Sequence, residues 1–182
     1  MKHLLRYLQG TKDARLVYRR DQFDPRNIFT AYCDADHAGN VDNGRSTGGY
    51  VLLIAGAAVS WSSRLQTITA LSTTEAEYVA AVDAGKEVAW MRQLLHEFGF
   101  TLSGPSTLAM DNQSAISVAK NPEHHGRMKH LDLRFYWLRD AVEDGRIAPV
   151  FVPTAQQVAD IFTKSLARAD MQRCRESLGI VI

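Results

Sequence analysis

The sequence predicts an α/β domain built on a mixed sheet flanked by helices, and three observations point there. Strand-like runs follow one another at 28–36, 49–54 and 57–62 with short turns between them. A helix-periodic stretch then covers 73–98. After it, strand-like and helix-like segments alternate to the end of the chain. Consecutive strands joined by short turns favour an antiparallel meander, and the later alternation adds strands connected through helices. At 182 residues, 46% hydrophobic and 23% charged, the chain suits one compact domain with a real core.

The elements follow in order. "MKHLLRYLQGT" reads as a short helix stopped by Gly10, "ARLVYRR" as a candidate strand, and "DQFDPRN" as a turn-rich hinge. In the first twenty residues Lys2, Arg6, Lys12, Arg15, Arg19 and Arg20 face only Asp13, although the whole chain carries a net charge of +1. That local excess is either a solvated helix with its exit loop or a nucleic-acid contact. We therefore divide the chain into a basic tether, 1–25, and a domain, 26–182. The 28–36 strand leads to 49–54, a turn near Gly56, and 57–62. Beyond the long helix, a strand ends at Asp111 and a short helix covers 114–120. After the "NPEHHGRMKH" loop come a helix at 131–143, the strand "GRIAPVFVP" and a final helix from near Thr154. Trp61, Trp90 and Trp137 are read as core residues.

The acidic residues carry the chemistry. In "AYCDADHAGN", Asp34 and Asp36 stand two apart and in phase with Ile28, Thr30 and Tyr32, so both project from one strand face. Two carboxylates there repel each other and lose water, and a divalent cation is the obvious compensation. In "STTEAEYVAA", steps of three and four from Glu77 meet Ala80, Ala81, Ala84, Val88, Met91 and Leu95, an unbroken apolar face. Glu77 therefore points at the sheet, while Glu75 caps the helix or faces water. Asp111 ends a strand that opens into a helix: an N-cap on one reading, a ligand-site residue on the other. Asp160 falls beyond a candidate Thr154–Gln157 capping box, where a lone acid would be an ordinary helix-start residue.

Several other chemistries are excluded. Cys33 and Cys174 lie far apart with no Cys-x-x-Cys, which favours a reducing, intracellular setting, expected to be the cytoplasm, with a virus-like particle or the nucleus as alternatives. The longest apolar run, 51–59, is far short of the roughly 20 residues that a membrane helix needs. His124, His125 and His130 share their loop with Arg127 and Lys129, which suits phosphate contact or solvent better than a zinc cage. Ser72 and Ser114 lack a nucleophile elbow.

Taken together, "YCDADHAG", "DNGRSTGGYV", "SWSSRLQ", "ALSTTEAEYVA", "DNQSAI", "KHLDLRFYWLRD" and "VADIFTKSL" resemble the ribonuclease H domain of copia-type retrotransposon polyproteins. "LLRYLQGTKDARLVY" resembles the segment joining that domain to reverse transcriptase. The resemblance implies a mixed five-stranded sheet, an antiparallel three-strand meander followed by two parallel strands, flanked by helices. It also implies a metal-dependent endonuclease hydrolysing the RNA strand of RNA–DNA hybrids during reverse transcription. Asp34, Glu77, Asp111 and Asp160 match the catalytic and metal-binding acids, with Asp36 either a supporting acid or a solvated strand end. The implied cofactor is a pair of Mg²⁺ ions, with Mn²⁺ able to substitute, held about 3.5–4 Å apart. Arg45, Ser46, Asn112, Gln113 and Lys129 are the candidates for holding the hybrid. The implied partners are that hybrid and the reverse transcriptase of the same polyprotein, with no membrane.

Three alternatives stand beside this reading. One is a catalytically weak hybrid- or polymerase-binding module of the same fold. Another is an integrase-type enzyme, whose acids run Asp, Asp, Glu and not Asp, Glu, Asp, Asp. The last is a structural domain whose acids only cap helices. One departure is plain: "FVPTAQQVAD" lacks the His that many ribonucleases H carry before the last Asp, and Gln156 and Gln157 are left there to meet phosphate or water.

Overall fold

The computed structural model describes residues 2–25, 27–121 and 136–182. Its main sheet is built from β2 (Phe29–Asp36), β3 (Thr47–Ile54), β4 (Ala57–Leu65), β5 (Ser106–Met110) and β6 (Ile147–Phe151). The order is β4-β3-β2-β5-β6, antiparallel through the first three strands and parallel from β2 to β5 and β6. This is the mixed five-stranded sheet that the sequence predicts. Ala55 and Gly56 join β3 to β4 with φ of 50° and 77°. Two consecutive positive φ values match the twist of a tight hairpin, and glycine takes the second without a steric cost.

The helices described are α1 (Lys2–Gly10), α2 (Thr73–Glu97), α3 (Gln113–Lys120), α4 (Tyr136–Glu143) and α5 (Arg168–Ser177). The expected helix at 131–143 is described only from Tyr136 onward, and its first five positions lie outside the described residues, as does the whole 124–130 stretch. The apolar stripe of α2 packs on Phe29, Ala31 and Cys33 of β2, which with Leu108, Met110 and Leu138 make the main core. The opposite face of the sheet holds a smaller cluster, in which Val51, Ala58, Val158 and Leu178 pack with Tyr32 and Phe162. Strand β2 is thus covered on both sides, which is why its apolar residues do not alternate strictly with polar ones.

Two expectations need correction. No continuous helix begins at Thr154: residues Thr154–Gln156 and Val158–Phe162 form two short 3-10 helices, and α5 starts only at Arg168. Trp61 and Trp90 are not core residues, being 56% and 54% exposed. Trp61 lies on β4, which among the described strands borders only β3, and Trp90 lies on the outer side of α2. Trp137 does pack against the main core.

At the N-terminus α1 buries none of its residues, and Leu4, Leu5, Tyr7 and Leu8 are all more than half exposed. The next segment is bonded to the domain. β1 (Arg15–Leu16) pairs antiparallel with β7 (Ile180–Val181), Arg19 N–H donates to Ala55 O over 2.8 Å, and Tyr18 Oη donates to Ala58 O over 2.8 Å.

Candidate active site

The site forms where β2, α2, β5 and the 154–164 segment meet. Asp34 comes from the end of β2, opposite Gly49 on β3, and is 2% exposed. A Cβ at Gly49 would come within 2.7 Å of Phe162 Cβ and 2.9 Å of Thr163 Cγ2. Glycine therefore lets the 160–164 turn lie directly on the sheet beside Asp34. Thr163 Oγ1 donates a hydrogen bond to Asp34 Oδ2, and Lys164 Nζ lies 3.8 Å from the same oxygen. Burial pushes the Asp34 carboxyl up to about 6; Thr163 and Lys164 pull against that rise, while Asp160 and Asp111 add to it.

Glu77 arrives on the first turns of α2. Ser72 is the N-cap, its Oγ accepting from Glu75 N–H over 3.2 Å, and the Glu75 carboxylate accepts from Leu71 N–H over 2.8 Å. Glu75 is thus the capping acid, buried and not solvated. Two residues further on, about 200° round the helix, Glu77 faces the strands. It is 7% exposed, and among the described residues its Oε2 has no hydrogen-bond partner. Burial first, then the charges of Asp34 and Asp111, push its carboxyl up to about 9.

Asp111 follows β5 directly. The cap of α3 is the next residue, Asn112, whose Oδ1 accepts from Ala115 N–H over 3.0 Å. The capping role open to Asp111 in the sequence is thereby taken by its neighbour. Asp111 Oδ2 instead accepts from Thr154 Oγ1 over 2.9 Å. The carboxylates of Asp34, Glu77 and Asp111 converge, with one oxygen from each lying within 4.8 Å of the others. Asp160 stands outside that trio but close by. It is 5% exposed and joined to Asp34 through Lys164, whose Nζ is 2.9 Å from Asp160 Oδ1.

The segment carrying Asp160 is anchored by Gln157. This side chain is completely buried, with Nε2 donating to Cys33 O over 2.9 Å and Oε1 accepting from Ala159 N–H over 3.2 Å. It closes no capping box with Thr154, and its burial leaves it no exposed surface. It ties the last acid's segment to the strand residue beside Asp34. Thr163 and Lys164 are supporting residues that sequence reasoning missed, and it gave Thr154 and Gln157 a capping box in place of these contacts. Only Lys164 left a trace, four residues after Asp160, at the spacing of a helical ion pair.

The candidates for gripping a substrate are spread around this centre. Arg45 is exposed on the 37–46 loop. Ser46 is fully buried, and its Oγ accepts from Ala38 N–H over 3.1 Å, so it braces that loop and offers no surface. Asn112 spends its Oδ1 on the α3 cap, and Gln113 is exposed on the first turn of α3. Lys129 lies outside the described residues. Asp36 is half-buried, with its carboxylate folded toward Gly39, where a Cβ would come within 2.0 Å of Oδ2.

An all-oxygen donor set with a buried, unpartnered Glu77 oxygen fits a hard divalent cation such as Mg²⁺. The Cys33 thiol is wholly buried among the apolar residues packed under α2, and burial followed by the charge of Glu77 raises its pKa well above the ordinary value, so a soft-metal site is not built here.

No protein-family model matches the chain. The chain is 41% identical over 180 residues, 99% of its length, to the retrovirus-related Pol polyprotein from transposon TNT 1-94 of Nicotiana tabacum. It is 36% identical over 181 residues to the corresponding polyprotein from transposon RE2 of Arabidopsis thaliana. It spans only 13% and 12% of those relatives. Among solved structures, an LC11 RNase H1 isolated from compost matches with a TM-score of 0.55 at 18% identity, covering 75% of this chain and 93% of that one.

Proposed function

Starting from a chain that belongs to the Pol polyproteins of copia-type retrotransposons and has the ribonuclease H fold, we propose a metal-dependent endonuclease that cuts the RNA strand of RNA–DNA hybrids. The observation that carries the reading is the convergence of Asp34, Glu77 and Asp111 around a Glu77 oxygen that no group among the described residues satisfies. A buried carboxylate left in that state is costly, and it persists where a ligand compensates it.

In this reading Asp34, Glu77 and Asp111 hold Mg²⁺, or Mn²⁺ in its place, and Asp160 completes the set for a second ion. Bound metal supplies an activated water and stabilises charge on the leaving oxygen. The protein's own contribution is positional. Thr163 orients Asp34, Thr154 orients Asp111, and Gln157 keeps the Asp160 segment against β2. Arg45, Gln113 and Lys129 grip the hybrid backbone, and selection of RNA rests on 2′-hydroxyl and shape contacts and not on base sequence.

The reverse transcriptase of the same polyprotein is the expected intracellular partner, with its own grip on the hybrid. The basic residues of 2–13 then add a salt-sensitive term to binding. Deleting 2–13, which spares the β1–β7 pairing, is expected to raise KM and flatten the salt dependence with little change in kcat. The direct test is cleavage of a labelled RNA–DNA hybrid with Mg²⁺ or Mn²⁺, against DNA duplex and RNA duplex controls. Metal-dependent loss of the RNA strand supports the reading. Hybrid binding without cleavage would instead favour a non-catalytic binding module.

A further inference from the structure

The acidic centre brings a cation of its own. Lys164 N–H bonds to Asp160 O over 3.2 Å, a turn that returns the lysine side chain over Asp160. Its Nζ then lies 2.9 Å from Asp160 Oδ1 and 3.8 Å from Asp34 Oδ2. The contact with Asp160 Oδ1 is at ion-pair distance. The two carboxylate side chains are only 7% and 3% exposed, whereas that of Lys164 is 39% exposed. The cluster is therefore divided. Asp34 and Asp160 share an ammonium, while Asp34, Glu77 and Asp111 enclose a space in which Glu77 Oε2 has no partner among the described residues.

We propose that Lys164 is a positioning residue that stands in for a cation. It keeps Asp34 and Asp160 side by side before metal arrives, and it yields that place to a second divalent ion once the first is held by Asp34, Glu77 and Asp111. The inference rests on the metal-dependent reading above. Two buried carboxylates repel strongly in a low-dielectric site, and one positive charge offsets part of that repulsion. A divalent ion offsets more and displaces the lysine. Lysine suits an exchangeable role because its ammonium is a compact charge on a flexible stem, whereas an arginine fork would grip a carboxylate at two points. The half-exposed stem gives the ammonium a route into water. Metal binding is then ordered, the first ion entering with Lys164 in place and the second only as it leaves.

Calorimetric titration of the 182-residue chain with Mn²⁺ and Mg²⁺ tests this. The wild type is expected to show a tighter and a weaker site. Lys164→Met should tighten the weaker site by about tenfold or more while the tighter one moves much less, because only one place is contested. The same variant should melt lower without metal, and Lys164→Arg should keep the weak second site. Equal tightening of both sites would mean a bulk charge effect and would overturn the proposal, as would no change at either. A measurement on the wild type needs no variant: acylation of Lys164 by an N-hydroxysuccinimide ester, followed by mass spectrometry, should accelerate several-fold at saturating metal while Lys86 stays constant. Labelling that is unchanged or slower refutes the exchange. If the wild type binds no metal at all, the metal-dependent reading fails first and this inference with it.

Discussion

Helix α2 presents carboxylates to the sheet at two levels, and the levels differ in how they are satisfied. Near the middle, Glu87 accepts from Ser60 Oγ over 2.6 Å and from Tyr50 Oη over 3.4 Å, so the strands it packs on occupy both of its oxygens. At the start, Glu77 faces the carboxylates of Asp34 and Asp111 and takes one backbone hydrogen bond from Ala35, and among the described residues its Oε2 has no partner. Glu75, two residues earlier and buried more deeply still, is satisfied by Leu71 N–H. Residue type and burial are thus poor guides to role. What separates a structural acid from a functional one is whether the surrounding chain completes its hydrogen bonds.

The largest test of that contrast is Glu77→Gln. Hybrid cleavage is expected to fall on the order of 10³-fold or more, because residues acting as a unit lose nearly everything together. Asp34→Asn should behave alike. The metal-free Glu77→Gln protein should be at least as stable as wild type, since the exchange removes a carboxyl that must take up a proton to stay buried. Near-wild-type cleavage by a folded Glu77→Gln protein would break the comparison.

The second test is pH. Glu77 titrates near 9 in the folded protein against an ordinary 4.5, and Asp34 near 6 against 3.8, so the folded state holds protons that the unfolded state has released. Metal-free stability should therefore be fully present below pH of about 4 and decline as pH rises toward 9. Bound metal should cancel much of that decline and release protons on binding. Urea unfolding at pH 5, 7 and 9, with chelator or with Mg²⁺, measures both. A metal-free stability that rises over this range would show that Glu77 is compensated after all.

The smaller tests lie at the satisfied acids. Ser60→Ala removes one partner of Glu87 and should cost about 1 kcal/mol with activity retained. Glu75→Gln keeps an acceptor for Leu71 N–H and should cost about 1 kcal/mol or less. If Glu75→Gln abolished cleavage while Glu77→Gln did not, the helix phase assigned here would be wrong.

Much of this was readable from the chain alone, because the signals were local. Period-two spacing placed Asp34 and Asp36 on one face of β2, and the three-and-four spacing of Ala80, Ala81, Ala84 and Val88 turned Glu77 toward the sheet while leaving Glu75 as the cap. Short turns and alternating segments announced the meander and the parallel strands that follow it. The features that only tertiary structure decided depend on partners distant in sequence. Gln157 is locked by Cys33 across 124 positions, and Thr163 by Asp34 across 129, so neither role has a periodic pattern to betray it. The same distance misled the reading of "PTAQQVAD" as a helix start. Thr154 bonds Asp111 and Gln157 bonds Cys33 across the chain, and the only backbone that Gln157 caps is the short 158–162 turn. Trp61 was misread because hydrophobic type says nothing about whether a neighbouring strand exists to cover it, and β4 borders β3 alone. Periodicity reports which way a side chain points along its own element. What waits there to meet it is settled only when remote segments pack, and Glu77 Oε2 has no partner among the described residues because β2 and β5 bring the carboxylates of Asp34 and Asp111 against it.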